Sequence, residues 1–232
     1  MLGTAINTGA ILTGTLIGAS AGSRLPERIR TMVLQVLGLV IMLIGLQMSL
    51  QTKYILVVLG ALISGGLLGE ALCITDGLEK LGSFLQSNLA KQQSSRFGEG
   101  FVTASLVFCV GPMAILGSIQ DGLLGDYRLL AVKGMLDGFI SIAFAASLGW
   151  GVALSALSVM IYQGSITLFA GVLSQVLTDP MINEMTATGG LIIVGIGLKL
   201  LEIKDIRLAN LLPALLLAPL IMAILPIVQS YF

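Results

Sequence analysis

Charged residues inside long apolar stretches are the residues of this sequence best suited to chemistry. Asp137 is the strongest candidate, and Lys133 lies four residues before it, on the same face of a helix. Glu70 lies near the end of another apolar stretch, without a sequence-local partner. A charge is costly in hydrocarbon, so each residue is a candidate for lining an ion or solute pathway. The alternatives are a structural ion pair for Lys133 and Asp137, and a Glu70 that simply reaches the membrane interface.

A second concentration of polar residues surrounds Gly111-Pro112, at the centre of the apolar segment 100–120. Proline removes a backbone donor and clashes with the preceding helical turn, so a broken or kinked helix is predicted here. The freed backbone groups are tolerated at membrane depth only against protein or a water-filled cavity. A simple packing kink is the alternative. The polar side chains that favour a substrate site are Thr103, Ser105, Ser118, Gln120 and Asp121.

Amides and hydroxyls elsewhere in apolar sequence need hydrogen-bond partners at membrane depth. Asn7 lies in the first apolar segment, and Gln163 and Ser165 lie in the sixth. We add these three residues to the predicted pathway, with hydrogen bonding between helices as the alternative role.

Several kinds of chemistry are disfavoured by what the sequence lacks. Histidine is absent, and Cys73 and Cys109 have no CxxC spacing, so we expect no metal site, no cofactor and no enzymatic activity. No GxxxxGK[ST] phosphate-binding loop occurs. Net charge is zero and no basic stripe is present, which argues against nucleic-acid binding.

The elements that must position these residues are membrane-spanning helices. Of the 232 residues, 56% are apolar and 10% are charged, against about 25% charged in soluble domains. We predict an all-α, polytopic transmembrane bundle, a single domain over residues 1–232 with about eight crossings. The apolar segments are 4–22, 31–50, 54–73, 100–120, 129–148, 151–177, 185–201 and 208–229.

Lysine and arginine predict the orientation, because cytoplasmic loops carry their excess. With eight crossings and both termini outside, nine of these residues lie on the inner side. The three on the outer side are Lys53, Arg128 and Lys133. Residues 76–96 are predicted to form a cytoplasmic amphipathic helix, since Asp76 and Glu79 read as a capping pair ahead of leucines at helical spacing.

An internal repeat is indicated when the chain is shifted by about 152 residues. Gly38-Leu39-Val40-Ile41 then aligns with Gly190-Leu191-Ile192-Ile193, so that crossings one to three resemble crossings six to eight. The two copies would run through the membrane in opposite directions, as an inverted repeat. Chance similarity between apolar, glycine-rich stretches is the alternative.

Glycines at four-residue spacing predict close helix packing. They include Gly14, Gly18 and Gly22 in the first segment and Gly65 and Gly69 in the third. We expect such faces to support a homo-oligomer, although packing within one chain would use them equally well.

Four stretches carry a resemblance to a known family. They are the segment from Phe101 to Ser105, the segment from Phe108 to Gly122 with its Gly-Pro-Met-Ala-Ile-Leu-Gly-Ser run, Leu136-Asp137-Gly138 and Tyr162-Gln163-Gly164. The sequence resembles the bacterial membrane proteins of the domain of unknown function 554 family, which includes YqgA-like and YdfK-like members. The resemblance implies a bacterial plasma-membrane location and supplies no catalytic or binding residues.

We therefore predict a channel or secondary transporter for a small ion or solute, with its pathway near the broken helix. The sign of the substrate charge is left open. Exposed N–H groups after Pro112 favour an anion, whereas Glu70, Asp121 and Asp137 favour a cation, towards which we lean. The alternative is a membrane scaffold or sensor that acts through residues 76–96.

Overall fold

The computed structural model describes residues 1–22, 26–77, 80 and 97–229, and within these ranges every regular element is a helix. The predicted all-α class is therefore confirmed. A short 3-10 helix, Leu208–Leu211, precedes the last α-helix. The α-helices are α1 (Leu2–Gly22), α2 (Glu27–Ser49), α3 (Ile55–Ala71), α4 (Phe97–Cys109), α5 (Pro112–Leu124), α6 (Arg128–Leu148), α7 (Gly151–Leu168), α8 (Ala170–Val176), α9 (Asp179–Leu200) and α10 (Pro213–Gln229).

Five of these helices, α1, α2, α6, α7 and α9, are long and apolar enough to cross a bilayer, and α4 with α5 forms a sixth candidate span. Large apolar side chains cover the outer faces: Leu56 is 77% exposed and Phe139 is 74% exposed. Such a surface suits lipid, and the chain is a multi-pass membrane protein. The helices α3 and α10 have 17 residues each, about the shortest length that spans the hydrocarbon core. Eight crossings require both of them to span, and this count stays a prediction.

The helix break predicted at Gly111-Pro112 is confirmed. The axes of α4 and α5 differ by 63° across it. Gly111 has φ 145° and ψ 152°, a backbone conformation that only glycine adopts readily. Pro112 follows as the first residue of α5, where its missing N–H is not needed within that helix.

The first of two compact units comprises residues 1–37 and 78–174. In this unit α1 and α6 pack side by side and point in the same direction, because contacting residues advance together along both helices. Glycines let the two backbones touch without intervening side chains. The contacts are Gly14 with Gly138, Gly18 with Ile142 and Gly22 with Ala146.

In the same unit, the broken pair α4 and α5 runs along α7 from its first turn to its end. Gly100 lies against Val152 near the start of α7, and Gly122 lies against Thr167 near its end. Between them Ser105 donates a hydrogen bond to Ser158, at 3.0 Å. The contacts advance in one direction throughout, so α4 and α5 follow α7 as one bent, interrupted span rather than as a hairpin.

The second unit comprises residues 38–77 and 175–232. In this unit α2 packs against α9 and α3 packs against α10, and each pair runs in opposite directions. Their contacts again involve small residues, with an apolar cluster of Ala61, Ala214 and Ala218 between α3 and α10. The backbone contacts are Gly38 with Gly197, Gly45 with Gly190, Gly65 with Ala214 and Gly69 with Asn210.

The glycine faces identified in the sequence are therefore used inside the chain. A homo-oligomer would have to use other surfaces, and oligomeric assembly stays a prediction. The predicted amphipathic helix 76–96 falls almost entirely on residues outside the described ranges; only Asp76, Gly77 and Lys80 are described.

Candidate functional site

A buried ion pair on α6 is the centre of the candidate site. Lys133 Nζ donates a hydrogen bond to Asp137 Oδ2, and the two residues are 6% and 4% exposed. The four-residue spacing places both side chains on one face of the helix, as the sequence predicted. Their neighbour Gly134 lies against the backbone of Asn7 in α1, which brings α1 beside the pair.

Two amides from neighbouring helices complete this centre. Asn7 Nδ2 donates a hydrogen bond to Gln163 Oε1 of α7, at 3.3 Å, and both residues are fully buried. The Asn7 side chain also approaches Asp137. Asn7 Oδ1 and Gln163 Nε2 have no hydrogen-bond partner among the described residues. Leaving such groups unpaired costs free energy, so they remain able to bind a further polar group.

The C-terminal end of α4 lies at the same place. Cys109, the last residue of α4, lies within electrostatic range of both Lys133 and Asp137. The carbonyl of Phe108 cannot receive the usual helical hydrogen bond, because Pro112 has no N–H. We name Asn7, Cys109, Lys133, Asp137 and Gln163 the polar cluster. The helix break therefore presents the negative end of the α4 dipole to this cluster.

Three buried hydroxyl groups lie nearer to the N-terminal end of α1 than the polar cluster does. They belong to Thr4, Ser118 and Thr167, on α1, α5 and α7, and we name this set the hydroxyl layer. Gly3 and Gly117, the neighbours of Thr4 and Ser118, both lie against Leu130, and Thr167 lies one turn beyond Gln163. All three hydroxyl oxygens are buried without a hydrogen-bond partner in the described chain.

Asp121 lies at the outer edge of the hydroxyl layer, where it caps α1. Its Oδ2 accepts a hydrogen bond from the Gly3 N–H, at 3.1 Å, and the Met1 nitrogen lies 2.7 Å from the same oxygen. A carboxylate is stabilised at a helix N-terminus by free N–H groups and by the helix dipole.

Several residues predicted for the pathway lie elsewhere. Thr103 is buried in α4, and Ser105 bonds to Ser158 on α7. Gln120 and Ser165 are exposed on the outside of their helices, and Ser165 donates its hydroxyl to the Ile161 carbonyl. The polar cluster thus contains four of the predicted residues, which are Asn7, Lys133, Asp137 and Gln163, while Gly111 and Pro112 form the break beside it.

Glu70 belongs to the second unit, at the end of α3. Its Oε1 accepts a hydrogen bond from Arg207 Nη1 and its Oε2 accepts one from Asn210 Nδ2, both at 2.6 Å. Asn210 Oδ1 in turn accepts hydrogen bonds from the N–H and hydroxyl of Thr75. Glu70 has no charged partner close to it in the sequence. Arg207, 137 residues further along the chain, supplies one.

Glu184 is a buried carboxylate that sequence reasoning missed. It lies in the second turn of α9, is 1% exposed, and accepts hydrogen bonds from Thr52 Oγ1 at 2.5 Å and from the Lys53 N–H at 2.9 Å. These bonds hold the turn between α2 and α3 against α9. No local sequence signal identifies this role, because the donors lie more than 130 residues away.

We expect Glu184→Gln to lower thermal stability, because an amide cannot accept at both positions and loses charge-assisted hydrogen bonds worth about 1.5–3 kcal/mol. The midpoint of thermal aggregation in detergent measures this effect. Glu27→Gln removes the same charge from an exposed side chain, which is 72% exposed, and serves as the control. Equal midpoints for both variants would contradict the assigned role.

Asp205 lies outside the helices and forms an exposed ion pair with Lys199. Lys199 Nζ lies 2.9 Å from Asp205 Oδ1. This hydrogen bond and the positive charge of Lys199 lower the pKa of Asp205.

No group of three or more histidine, cysteine or acidic side chains that could hold a metal ion occurs among the described residues.

Comparisons with known proteins agree with the resemblance identified in the sequence. The family model described as "Protein of unknown function (DUF554)" matches residues 2–223. Uncharacterized membrane protein YdfK of Bacillus subtilis (strain 168) is 36% identical over 97% of each chain. Uncharacterized protein YqgA of Escherichia coli (strain K12) is 31% identical over 94% of each chain. No solved structure matches significantly.

Proposed function

This chain belongs to the DUF554 family, and from that premise we propose that it is a channel or secondary transporter that moves a small ion or solute through its first unit. The observation that carries the proposal is the broken helix, whose α4 end lies beside the buried Lys133–Asp137 pair. The pathway runs from Asp121 through the hydroxyl layer to the polar cluster.

The break supports transport because of its backbone chemistry. A helix interrupted within the hydrocarbon region exposes peptide groups that only protein, water or a solute can satisfy. At this break the exposed carbonyl end of α4 adjoins a buried charge pair rather than apolar packing. A kink that served packing alone would not need charged side chains beside it, since they add a cost in lipid.

The unpaired polar atoms support the same proposal. Those of the polar cluster and the hydroxyl layer occur on α1, α5 and α7 and belong to side chains that are at most 6% exposed, while further unpaired atoms lie on α2, α6 and α9. A transported solute with hydrogen-bonding capacity would offset the cost of burying them.

The second unit supports an inverted repeat. A shift of 152 residues aligns Gly38 with Gly190 and Gly45 with Gly197, while the contacts join Gly38 to Gly197 and Gly45 to Gly190. Each residue therefore touches the counterpart of the other, which is what an internal two-fold axis produces. Repeats of this kind are common in secondary transporters.

We place the protein in the bacterial plasma membrane with both termini outside. The packing directions fit this orientation: α1 and α6 are parallel, whereas α2 and α9 are antiparallel, as strict alternation of eight crossings requires. The inner side then holds nine of the 12 lysine and arginine residues.

Flux into vesicles tests the proposal. Purified protein in phosphatidylethanolamine–phosphatidylglycerol liposomes is expected to carry at least one of a panel of inorganic ions, amino acids and small sugars faster than protein-free liposomes. Absence of flux for the whole panel would remove the transport function. The scaffold alternative would then predict that Lys80, Lys91 and Arg96 matter to growth while changes in the polar cluster are silent.

Pro112→Ala is expected to reduce flux about tenfold or more. Alanine supplies the missing N–H and so favours a straight helix. A shift of about 1.4 kcal/mol towards the straight form is enough for a tenfold effect. The matched control is Pro180→Ala, which removes a proline from the first turn of α9, in the second unit and not part of the α4–α5 break. Initial rates at equal protein content measure both variants. Wild-type flux in Pro112→Ala would show that the break is not required.

A further inference from the structure

We propose that the Lys133–Asp137 pair is a site of cation–proton exchange, at which a monovalent cation binds Asp137 while Lys133 releases a proton. This inference rests on the proposed transport function and specifies its substrate class.

Oxygen atoms without a hydrogen-bond partner lie on α6, which carries the pair, and on α1, whose Asn7 side chain approaches Asp137. Asn7 Oδ1, on α1, and Ser141 Oγ, one turn after Asp137 on α6, are fully buried and have no hydrogen-bond partner among the described residues. The carbonyl end of α4, at Cys109, lies within electrostatic range of the pair. Carboxylate, amide, hydroxyl and carbonyl oxygens are the ligands that small alkali cations accept. A half-helix C-terminus adds a negative dipole end to the same place.

The charge balance of the pair determines what can enter. The two formal charges of the polar cluster cancel, and both residues are at least nine-tenths buried. Adding a cation to this neutral, buried pair would leave one uncompensated positive charge at a cost of several kcal/mol. The cost is avoided if an existing positive charge leaves as the cation arrives.

The lysine ammonium supplies that charge. In the exchange, the hydrogen bond between the Lys133 ammonium and the Asp137 carboxylate breaks, one proton leaves the ammonium for water, and the cation takes its place on the carboxylate. Lys133 remains as a neutral amine, and the site is uncharged before and after the step. The reverse step rebinds a proton and expels the cation. One cation therefore moves for each proton, without net movement of charge.

The groups around the pair allow this exchange. Helix α1 contributes no titratable side chain, since residues 2–22 contain no charged residue, cysteine or tyrosine. Cys109 faces the pair from α4, and Tyr162 of α7 lies near Cys109. Asp121 of α5 lies beyond the hydroxyl layer, bound to α1. Arg30 of α2 lies at the opposite end of α6, where it donates to the Ser147 carbonyl. Lys133 is thus the only ammonium group next to Asp137 within the described part of this unit.

The exchange predicts selectivity by valence. A monovalent cation replaces one proton without changing the charge of the site, whereas a divalent cation leaves the site with one extra positive charge. Sodium, potassium or lithium should therefore exchange with protons, and magnesium should not. A neutral solute or an anion should not drive proton movement through this site.

Liposomes that contain a pH-sensitive dye test the inference on the wild-type protein. Adding NaCl, KCl or LiCl outside is expected to raise the internal pH for at least one salt, at a rate unchanged by an imposed membrane potential. MgCl2 and choline chloride should give no change. Flux of a monovalent cation without proton movement, or flux confined to other solutes, would overturn the exchange site and leave the transport function standing. The absence of all flux would instead overturn the transport function itself.

Lys133→Gln identifies the proton carrier. Its cation uptake, followed with the radioactive salt, is expected to continue while internal pH stays constant, and uptake should become dependent on membrane potential. Asp205→Asn, in the exposed pair with Lys199, removes a charge from a pair of the same type and should retain coupled exchange. Coupled exchange in Lys133→Gln would overturn the role of Lys133. If Lys133→Gln is not recovered folded, Lys133→Arg serves instead, because its guanidinium does not release a proton at neutral pH and coupling should again be lost.

Discussion

Replacing Asp137 with asparagine is expected to lower flux at least about tenfold, the effect of losing about 1.4 kcal/mol of cation binding, and separately to destabilise the protein by about 3–5 kcal/mol, because Lys133 loses its buried partner. The same change removes the only carboxylate of the polar cluster. Initial rates of uptake into liposomes, normalised to incorporated protein, measure the effect. Asp205→Asn is the matched control and is expected to transport at the wild-type rate.

Loss of flux in Asp137→Asn has to be separated from loss of folding. The double variant Lys133→Gln with Asp137→Asn removes both charges and leaves a neutral, hydrogen-bonding pair, so its thermal stability should exceed that of the single variant. We expect this double variant to be folded and inactive. Wild-type flux in the folded double variant would show that the charge pair has no part in transport.

Gly18→Ala is expected to destabilise the protein by about 1–3 kcal/mol, because the added methyl group would overlap the Ile142 carbonyl of α6 and force the two helices apart. The parallel contact between α1 and α6 holds Asn7 against Gly134, next to Lys133. Flux should therefore fall together with stability. Thermal aggregation in detergent and uptake into liposomes report the two effects.

The control for this prediction lies on the same helix. Gly9 has no atom within 4 Å of the position that a methyl group would occupy, and alanine is favoured over glycine in a helix by about 0.5–1 kcal/mol. We expect Gly9→Ala to be as stable as the wild type or slightly more stable. If Gly18→Ala matched Gly9→Ala, α1 and α6 would not pack through this face.

Local patterns in the sequence predicted most of the helices. The boundaries of α1, α3 and α6 lie within two residues of the predicted segments, whereas α9 begins at Asp179, six residues before the predicted start at 185. The interruption at Gly111-Pro112 was predictable because proline lacks an N–H wherever it occurs. The end of α7 before Phe169 was not, since no glycine or proline marks it.

The candidate site was predictable where its residues interact along one helix. Lys133 and Asp137 are four residues apart, and helical geometry alone brings them together. The pairing of Asn7 with Gln163 spans 156 residues, and the bond from the Gly3 N–H to Asp121 spans 118. Contacts at such separation depend on how the helices pack. For the same reason the sequence left the sign of the substrate charge open. The carbonyl end of α4 favours a cation, and only helix packing brings it to the ion pair.

Water access to the hydroxyl layer is the most direct test of a pathway through the first unit. Ser118→Cys, in a background of Cys73→Ser, is to be treated in sealed liposomes with a charged, membrane-impermeant thiol reagent, and the Cys73→Ser parent, which keeps Cys109, gives the background labelling. Leu116→Cys, on the outer face of the same helix and 37% exposed, is the control. We expect Ser118→Cys to be labelled and its flux to fall in proportion, while Leu116→Cys stays unlabelled in lipid. Unlabelled Ser118→Cys in liposomes that sustain flux would contradict a pathway along this face of α5.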